Sequence, residues 1–397
     1  MDRRKFVKNS SLAGLGIASS TGILSALESY VRAENKAINI AVIGTGSRGL
    51  GLIPLINDIE NLNITAICDV LPFRLDKAKA LVGANTFATS KYKKVLNNKD
   101  IHAVLIATPF YTHGQIALDA LKSGKHVYCE KTLAKDLTEV DTLVEAVAIS
   151  DVIFQTGHQY HSSRLYNHVV NLIKDGEIGN VRSFECQWYR NGNWRRNVPE
   201  PKYERAVNWR MYREYSGGMT AELSSHQIDF VNWVLGENPK KIMGTGGINF
   251  WNDGRETYDN THLIFEYPSG VKAQFKCLTS NIPGGYEIKV IGDKGIITIK
   301  PTKAWIKHYE KKSPKKNYKK TNVDGVSGAT ASYGYIAQLG QEISVQHLDP
   351  SKQALIDFRD AIYKGEQPIS DVVTGANTAK AVNLAIEAML SGEVKYW

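Results

Sequence analysis

The sequence predicts an α/β domain with a doubly wound parallel sheet, followed by an α+β domain with a large, mainly antiparallel open sheet. The chain has 397 residues, more than one compact core usually organises. Short apolar runs alternate with helical patterns up to about residue 156, as they do in βαβ units. From residue 157 onward most apolar runs are joined by short turns, which is typical of antiparallel strands.

The predicted domain boundaries follow from this change of rhythm: a segment 1–34, a first domain 35–156 and a second domain 157–397. In the first domain, residues 38–43 form a β-branched run of the kind buried on both faces of a parallel sheet. Further strands are predicted at residues 64–68, 103–107, 127–129 and 152–154, with helices at 74–82, 114–123 and 137–149. In the second domain, helices are predicted at 163–175, 219–235, 353–363 and 375–390, and strands at 181–188, 241–246, 262–267, 271–278, 286–291 and 296–299.

Composition excludes several classes of protein. Hydrophobic residues make up 43% and charged residues 22% of the chain, which is ordinary for a globular protein and unlike a disordered or fibrous one. No apolar stretch reaches the length of about eighteen residues that a membrane helix needs, so we predict no stable membrane anchor. The four cysteines are widely spread and form no CxxC pair, which excludes a disulfide scaffold and a zinc ribbon.

The net charge of +9 raises the question of nucleic-acid binding. The densest basic run, residues 311–320, is rich in lysine, contains a proline and has no apolar periodicity, so we interpret it as a solvated loop. Nucleic-acid binding would need basic groups on a folded face with stacking aromatic residues. We therefore predict no nucleic-acid partner.

The first residues of the chain resemble an export signal. Arg3, Arg4, Phe6 and Lys8 precede a mildly apolar segment rich in Ala, Gly and Ser, a pattern similar to a twin-arginine secretory signal. This predicts export by the twin-arginine machinery to the periplasm or cell envelope, a route that carries folded proteins, commonly with a cofactor inside. The alternative is a disordered basic tail or an amphipathic anchor.

A glycine-rich loop follows the first predicted strand and opens a helix. In the run from Gly44 through Gly46, Ser47 and Arg48 to Gly49, the first glycine permits a tight turn. The second lets the backbone approach a pyrophosphate, and the third allows close helix packing. The start of the helix then offers free N–H groups to phosphates. The loop predicts a dinucleotide-binding Rossmann domain.

A carboxylate at the end of the second predicted strand bears on the choice of cofactor. Asp69 lies twenty residues after Gly49, where it can accept hydrogen bonds from the adenosine ribose and repel a 2′-phosphate. This favours NAD over NADP, although Arg74 nearby can weaken the preference. The alternative is a structural glycine turn with Asp69 as a helix cap.

Two later stretches lie at the carboxyl ends of predicted strands, where ligands of such sheets bind. The candidate cofactor-binding residues in them are Thr108, Pro109, His113, Glu130 and Lys131. Burial and neighbouring charges can bring the pKa of a lysine such as Lys131 into the range of acid–base chemistry. The alternative is a lysine paired with Glu130.

The helix predicted at 219–235 begins after two glycines and carries Glu222 and His226 at i, i+4 spacing, on one face. Three readings are open: a capped helix with incidental polar residues, an acid–base pair, or two metal ligands.

Five motifs in order, GxGxxG, TPxxxH, EK, Gly157-His158-Gln159 and GGxxxExxxH, resemble the Gfo/Idh/MocA oxidoreductase family, which includes glucose–fructose oxidoreductase and inositol dehydrogenases. The resemblance covers the chain after residue 35. It implies that Lys131, Glu222 and His226 are catalytic, and it adds Gln159 to the cofactor site. Two departures are visible, because Thr132 replaces a usual proline and Glu222 stands where aspartate is common.

These groups suit the oxidation of a secondary alcohol, in which hydride leaves carbon and a proton leaves oxygen. A neutral His226 can take the proton. Lys131 can stabilise the developing negative charge on oxygen, and Glu222 would orient and charge-balance the pair. Asp229, one turn onward, is expected to be structural.

The cleft is predicted to bind a sugar, glycoside or cyclitol. Aromatic faces with polar neighbours suit a ring that presents C–H patches and hydroxyls, and the candidate substrate-binding residues are Tyr160, Trp194, Arg210, His226 and Tyr286. The alternative for the tryptophans is that they pack in the core or at an interface. The alternative for Arg210 is that it binds a carboxylate group of the substrate.

Several functions remain open. Export implies a tightly bound NAD, and then either a ping-pong transfer of hydride between two sugars, similar to that of glucose–fructose oxidoreductase, or a redox-neutral glycoside hydrolase or lyase that passes through a transient 3-keto sugar. A non-catalytic nucleotide-binding protein would need no Lys131–His226 pair. A metal-dependent hydrolase would need a third ligand, His158 or His161, beside Glu222 and His226; we predict no metal site. By analogy with the family, we expect a homodimer or homotetramer formed through the open sheet.

Overall fold

The computed structural model describes residues 36–280, 285–309, 339–346 and 348–397. The predicted export signal and the basic run 311–320 lie outside the described residues. Within the described ranges, no helix combines the length and the apolar character needed to cross a membrane.

The first domain contains a six-stranded sheet in which every pairing is parallel. Its strands are β1 (Ile38–Ile43), β2 (Leu62–Cys68), β3 (Phe87–Thr89), β4 (Ala103–Ile106), β5 (His126–Cys129) and β6 (Phe154–Thr156), in the spatial order β3-β2-β1-β4-β5-β6. The order reverses between β1 and β4, where Ile43 pairs with Cys68 on one side and Ile106 on the other. This confirms the doubly wound sheet and places a ligand crevice at its switch point.

Five helices connect these strands: α1 (Ser47–Asn57), α2 (Pro72–Lys79), α3 (Tyr92–Leu96), α4 (His113–Lys122) and α5 (Leu137–Ala148). The strand predicted at 152–154 lies two residues later, at β6. The apolar run marks burial, whereas the ladder with β5 starts only where Phe154 pairs with Val127. A short strand such as β3 carries no distinct pattern in the sequence, and none was predicted there.

The second domain contains a nine-stranded sheet of mixed direction. Its strands are β7 (Val181–Tyr189), β8 (Lys241–Gly247), β9 (Asn260–Glu266), β10 (Lys272–Leu278), β11 (Tyr286–Gly292), β12 (Gly295–Ile299), β13 (Ala304–His308), β14 (Gln341–Ile343) and β15 (Lys395–Tyr396). Their order is β14-β13-β12-β11-β7-β10-β9-β8-β15. The described pairings are antiparallel except β7 with β10, which confirms the mainly antiparallel sheet; the parallel pair was not foreseen.

Of the five helices that the structure describes in this domain, three contribute to the core that contains this sheet, and two contribute to the cores of the first domain. The five are α6 (Arg164–Lys174), α7 (Glu204–Val207), α8 (Ser225–Leu235), α9 (Pro350–Lys364) and α10 (Val372–Ser391). Phe358 of α9 packs edge-on against Tyr128 of β5, with ring centroids 5.8 Å apart. Along α10, Ala379 belongs to the core of the first domain and Ala385 to that of the second. The two closing helices therefore fix the crevice between the sheets.

The helix predicted over 219–235 is not uniform. Residues Thr220–Ser224 form a π-helical turn, and regular α8 starts only at Ser225. A π turn is wider than an α turn, so the expected α-helical spacing of Glu222 and His226 is wrong in detail. The change of pitch aims the backbone carbonyls of this turn at the carboxyl end of β5.

Candidate active site

The glycine-rich loop is shaped by two positions that exclude a side chain and one that has space. Gly44 has φ +93°, and a Cβ there would lie 2.7 Å from the carbonyl carbon of Ala107. A Cβ at Gly49 would overlap the carbonyl oxygen of Gly44. At Gly46 the nearest atom would be the Nη1 of Arg74 at 3.5 Å. Gly44 and Gly49 thus build the turn, while Gly46 borders open space.

The loop fits a dinucleotide phosphate. Gly46 caps α1 without a side-chain hydrogen bond, so the first N–H groups of the helix are left for an anion. Asp69 is buried and accepts hydrogen bonds from the N–H of Thr45 at 2.8 Å and of Leu71 at 2.9 Å. Asp69 therefore joins the glycine-rich loop to the turn before α2, but it does not cap that helix, which receives no side-chain hydrogen bond at its first residues. The remaining lone pairs of the carboxylate can accept ribose hydroxyls.

Arg48 and Glu130 form an ion pair beneath the crevice. The Nε of Arg48 lies 2.7 Å from the Glu130 carboxylate, and its Nη1 donates to the Ser351 hydroxyl at 3.1 Å. Burial opposes the charged form of Arg48, but Glu130 together with Tyr128 and Asp349 outweighs it and raises the pKa of Arg48. The ion-pair partner of Glu130 is thus Arg48, and the alternative interpretation, in which Glu130 pairs with Lys131, is wrong.

Lys131 reaches across the crevice to the π turn. Its Nζ donates a hydrogen bond to the backbone carbonyl of Glu222 at 2.8 Å. Burial lowers the pKa of the Lys131 amine, and the Glu222 and Glu130 carboxylates oppose this shift. The peptide bond before Thr132 is cis, and the Thr132 hydroxyl donates to the carbonyl of Ala221 at 3.0 Å. Threonine in place of the usual proline therefore adds a second bond to the same turn.

His113 holds two loops together. Its Nδ1 lies 2.9 Å from the carbonyl oxygen of Thr132, and its Nε2 lies 2.9 Å from that of Thr108. Burial lowers the pKa of His113, and the two carbonyl oxygens oppose this. Both ring nitrogens are occupied, so the predicted cofactor contact of His113 needs correction: it positions the ends of β4 and β5 instead.

The carboxylate of Glu222 pairs with Arg210, a partner that the sequence analysis did not assign to it. The Arg210 Nε lies 2.6 Å from Glu222 Oε2, and the guanidinium stacks on the Trp209 ring at 4.2 Å from its centroid. Burial raises the pKa of Glu222, but the positive charges of Arg210 and Lys131 outweigh it and leave the pKa below its ordinary value. Glu222 is therefore an anion between two cations.

His226 is buried at the head of α8 among aromatic rings. The ring centroids of Tyr160, Trp188 and His158 lie 5.2, 5.8 and 6.1 Å away. Its Nδ1 is buried and has no hydrogen-bond partner among the described residues. Burial holds the pKa of His226 well below its ordinary value, and the charge of Lys131 lowers it further. The imidazole is therefore neutral at neutral pH and able to accept a proton.

A second buried layer lies under His226. His161 Nε2 is 3.1 Å from Asp229 Oδ1, which also accepts from the Thr378 hydroxyl at 3.3 Å, while His158 Nδ1 lies 3.2 Å from the Thr156 hydroxyl. The structural role expected for Asp229 agrees with these contacts. Among the described residues, no group of three or more His, Cys, Asp and Glu side chains could hold a metal ion.

The predicted substrate residues fall into two groups. Tyr160 is half-buried beside His226 and stacks on Tyr166 at 4.2 Å, and burial raises its pKa to about 12. Tyr286 is only 6% exposed, and its hydroxyl bonds that of Tyr166 at 2.7 Å. Tyr286 is therefore a core residue that supports the aromatic wall, which corrects its assignment as a substrate contact.

Three further predicted residues line the region less directly. Trp194 packs with Met219 and Leu223. Much of its ring therefore contributes to packing, which is the alternative given above for the tryptophans. Gln159 is half-buried, and its Oε1 finds no partner among the described residues. Thr108 is half-buried at the end of β4, next to Pro109, and accepts from the Thr112 hydroxyl at 2.8 Å.

Fold and site together define a class: a dinucleotide-binding domain whose strand ends meet a lysine, a carboxylate and a neutral histidine. A family model described as an oxidoreductase family with an NAD-binding Rossmann fold matches residues 38–158, and the GFO/IDH/MocA C-terminal domain matches residues 166–298. The chain belongs to the Gfo/Idh/MocA oxidoreductase family.

Relatives in this family act on different compounds. The 2,7-anhydro-N-acetylneuraminate hydratase of Escherichia coli is 32% identical over 267 residues, which span 66% of this chain and 67% of that protein. The myo-inositol 2-dehydrogenase of Thermotoga maritima is 25% identical over 66% of this chain and 74% of its own length. The aldose–aldose oxidoreductase of Caulobacter crescentus, solved with glycerol, has a TM-score of 0.71 at 17% identity, with 91% of this chain and 100% of that chain covered, and shares the fold.

Proposed function

We propose that this protein is an NAD(P)-dependent oxidoreductase that transfers hydride between a secondary alcohol of a sugar, glycoside or cyclitol and a tightly bound nicotinamide cofactor. The observation that carries the proposal is the meeting of Lys131 with the turn that leads into His226, at the carboxyl ends of the parallel strands. Relatives named as inositol 2-dehydrogenases support the class of substrate.

Each polar group has a separate task in such a reaction. The bound nicotinamide would supply the hydride acceptor or donor. His226, neutral because of its depressed pKa, takes the hydroxyl proton of the alcohol. Lys131 keeps further N–H groups beside the one given to the Glu222 carbonyl, and these stabilise the oxygen as it gains negative charge. Burial lowers the pKa of Lys131, and Glu222, held by Arg210, opposes that shift and so favours the protonated amine.

The cofactor we propose is NAD rather than NADP. Asp69 lies where the adenosine ribose would be bound, and its buried carboxylate would repel a 2′-phosphate. Arg74 is the opposing feature, since its guanidinium lies beside Gly46. The ratio of NAD to NADP affinity measures which of the two dominates.

Location and assembly follow as further parts of the proposal. The arginine pair near the start of the sequence supports export by the twin-arginine machinery to the periplasm or cell envelope. There, a cofactor that stays bound would need no soluble pool to recycle it. The outer face of the nine-stranded sheet carries exposed His262, Ile264 and Gln274 and supports pairing of two or four copies, which light scattering of the purified protein tests.

A second candidate is a redox-neutral hydrolase or lyase. It is favoured by the relative named as a hydratase, because hydration leaves the oxidation state of substrate and product unchanged overall. Oxidation of a ring hydroxyl acidifies the neighbouring C–H, so a substituent one carbon further can leave before the ketone is reduced again. A non-catalytic nucleotide-binding protein is less well supported, because it has no need of the buried Lys131 and His226.

One experiment separates these candidates. The nucleotide is released from the purified protein and identified, and the absorbance of reduced nicotinamide is followed as sugars, cyclitols and glycosides are added. Net oxidation makes the reduced band accumulate. Redox-neutral chemistry gives product with at most a transient band. A bound nucleotide that never changes with any compound, and no product, would refute an enzymatic role.

A further inference from the structure

Arg196 reaches from the second domain to the phosphate loop of the first. It lies on the irregular segment 190–200 that follows β7, and its guanidinium donates to the hydroxyl of Ser47, the first residue of α1. Its backbone is fixed by Asn208, whose side chain accepts from the Arg196 N–H at 2.7 Å and donates to the Arg196 carbonyl at 3.0 Å. Asn208 is 2% exposed, so a buried side chain holds the backbone of Arg196 in place.

The turn before Arg196 is held in an unusual shape. Trp194 has φ +65°, a left-handed conformation that a bulky side chain rarely adopts. Its neighbours secure it, since Arg255 donates to the Asn193 carbonyl at 2.8 Å and Arg195 pairs with Glu204. Such outliers persist where surrounding contacts over-determine them and are common at ligand clamps. The turn aims the following arginine across the crevice.

Positive charge accumulates at this point. The guanidinium of Arg74 borders the open space over Gly46, and α1 directs its positive end to the same place. Burial lowers the pKa of Arg196, and the charge of Arg210 lowers it further. Arg196 has no carboxylate partner among the described residues. Burial lowers the pKa of Arg74 and the nearby Asp69 carboxylate opposes this shift, so Arg74 has an acid beside it and Arg196 does not. An anion bound between the two guanidinium groups would supply the missing negative charge.

We propose that Arg196, together with Arg74, clamps the pyrophosphate of the dinucleotide against the start of α1 and slows cofactor release. A pyrophosphate carries two negative charges, and the planar fork of arginine binds phosphate oxygens in pairs. A substrate carboxylate is the competing anion, but the contact of Arg196 with Ser47 places it at the phosphate loop. The inference rests on the proposed function only for the binding of a dinucleotide.

The test compares the parent protein with Arg196→Ala, Arg196→Lys and Arg182→Ala. Arg182 is a matched control, because it is a surface arginine paired with Asp293 at 2.9 Å and its loss changes the net charge equally. NADH dissociation is followed by fluorescence after a chase with excess ADP-ribose, and the affinities of ADP-ribose and adenosine are measured by calorimetry. Arg196→Ala should release NADH about tenfold faster and bind ADP-ribose about tenfold more weakly. Arg196→Lys should lie between, and Arg182→Ala and all adenosine affinities should not change.

Two results overturn the clamp. One is an Arg196→Ala variant that binds ADP-ribose as tightly as the parent, whether or not the KM of an anionic substrate rises. The other is an Arg196→Ala variant whose Tm falls by the same amount with and without ADP-ribose, which would show that Arg196 stabilises the contact between the domains and does not bind the ligand. If ADP-ribose binding responds as expected but no alcohol ever reduces bound NAD, the proposed function fails and the clamp remains.

Discussion

The amine of Lys131 donates a 2.8 Å hydrogen bond to the backbone carbonyl of Glu222, although 91 positions separate the two residues in the chain. The contact joins the end of β5 to the π turn that precedes His226. The position of the amine is therefore tied to the backbone that carries the imidazole.

The first prediction concerns the amine itself. Lys131→Met keeps the length of the side chain and removes its charge and donors, so we expect single-turnover reduction of bound NAD by the active sugar or cyclitol to fall about 100-fold or more. Lys135→Met is the matched control, because Lys135 also donates to a backbone carbonyl, that of Glu214, at 2.6 Å. A Lys131→Met variant that retains bound nucleotide and reacts at the parent rate would contradict the assigned role.

The second concerns the pH dependence of alcohol oxidation. His226 must be neutral to accept a proton, and its pKa is held well below the ordinary value, so the acid limb of the rate should lie below about pH 6.5. Lys131 must stay protonated, and its pKa is also lowered, so the basic limb should lie below about pH 10.4. Glu222→Gln removes a carboxylate that raises the Lys131 pKa and should move the basic limb to lower pH. A basic limb that stays in place in this variant would count against the coupling.

The third concerns the glycines of the phosphate loop. Gly46→Ala should fold with an unchanged Tm and lose dinucleotide affinity, because its Cβ would enter the open space beside Arg74. Gly49→Ala should lower the Tm strongly, because its Cβ would overlap the Gly44 carbonyl oxygen. Gly51→Ala, on the exposed side of α1 with no atom near its Cβ, should stabilise the helix by roughly 0.5–1 kcal/mol. Thermal melts with and without NAD measure all three, and equal Tm losses at Gly46 and Gly49 would refute the distinction.

The fourth concerns acid stability. Burial lowers the pKa of His158 and of His226, so the unfolded chain binds more protons than the folded one below the ordinary histidine pKa. The free energy of unfolding should therefore fall as the pH drops below about 6.5, before carboxylates titrate. His158→Gln should weaken this dependence, while His168→Gln on the exposed side of α6 should not. A Tm that is flat between pH 7 and 5 in the parent would show that these histidines are not neutral in the folded state.

Local sequence patterns sufficed for much of the fold. The β-branched runs and the alternation of strands and helices predicted the parallel sheet, and the turns after residue 240 predicted the antiparallel one. They missed the parallel pairing of β7 with β10, because strand direction depends on partners that are far apart in the chain. They also missed the π turn, since its pitch differs from an α-helix by less than residue spacing can reveal.

The candidate site divides in the same way. The chain order of Gly44, Asp69, Lys131 and His226 was enough to indicate a dinucleotide and an acid–base pair, because these residue types perform chemistry that few others can. The pairing of carboxylates with cations depends on three-dimensional packing. Glu130 forms an ion pair with Arg48, and Glu222 forms one with Arg210.

The sequence by itself therefore determined the class of fold and the glycine-rich loop, and it supplied the candidates for the reactive groups. Only the tertiary structure decided that Tyr286 is core, that His113 ties two loops together, and that Arg196 reaches Ser47 from the other domain. The physical reason is that glycine turns and strand periodicity are local properties of the backbone. The pKa of a side chain and the partner of a charge depend instead on burial and on neighbours that folding brings from distant parts of the chain.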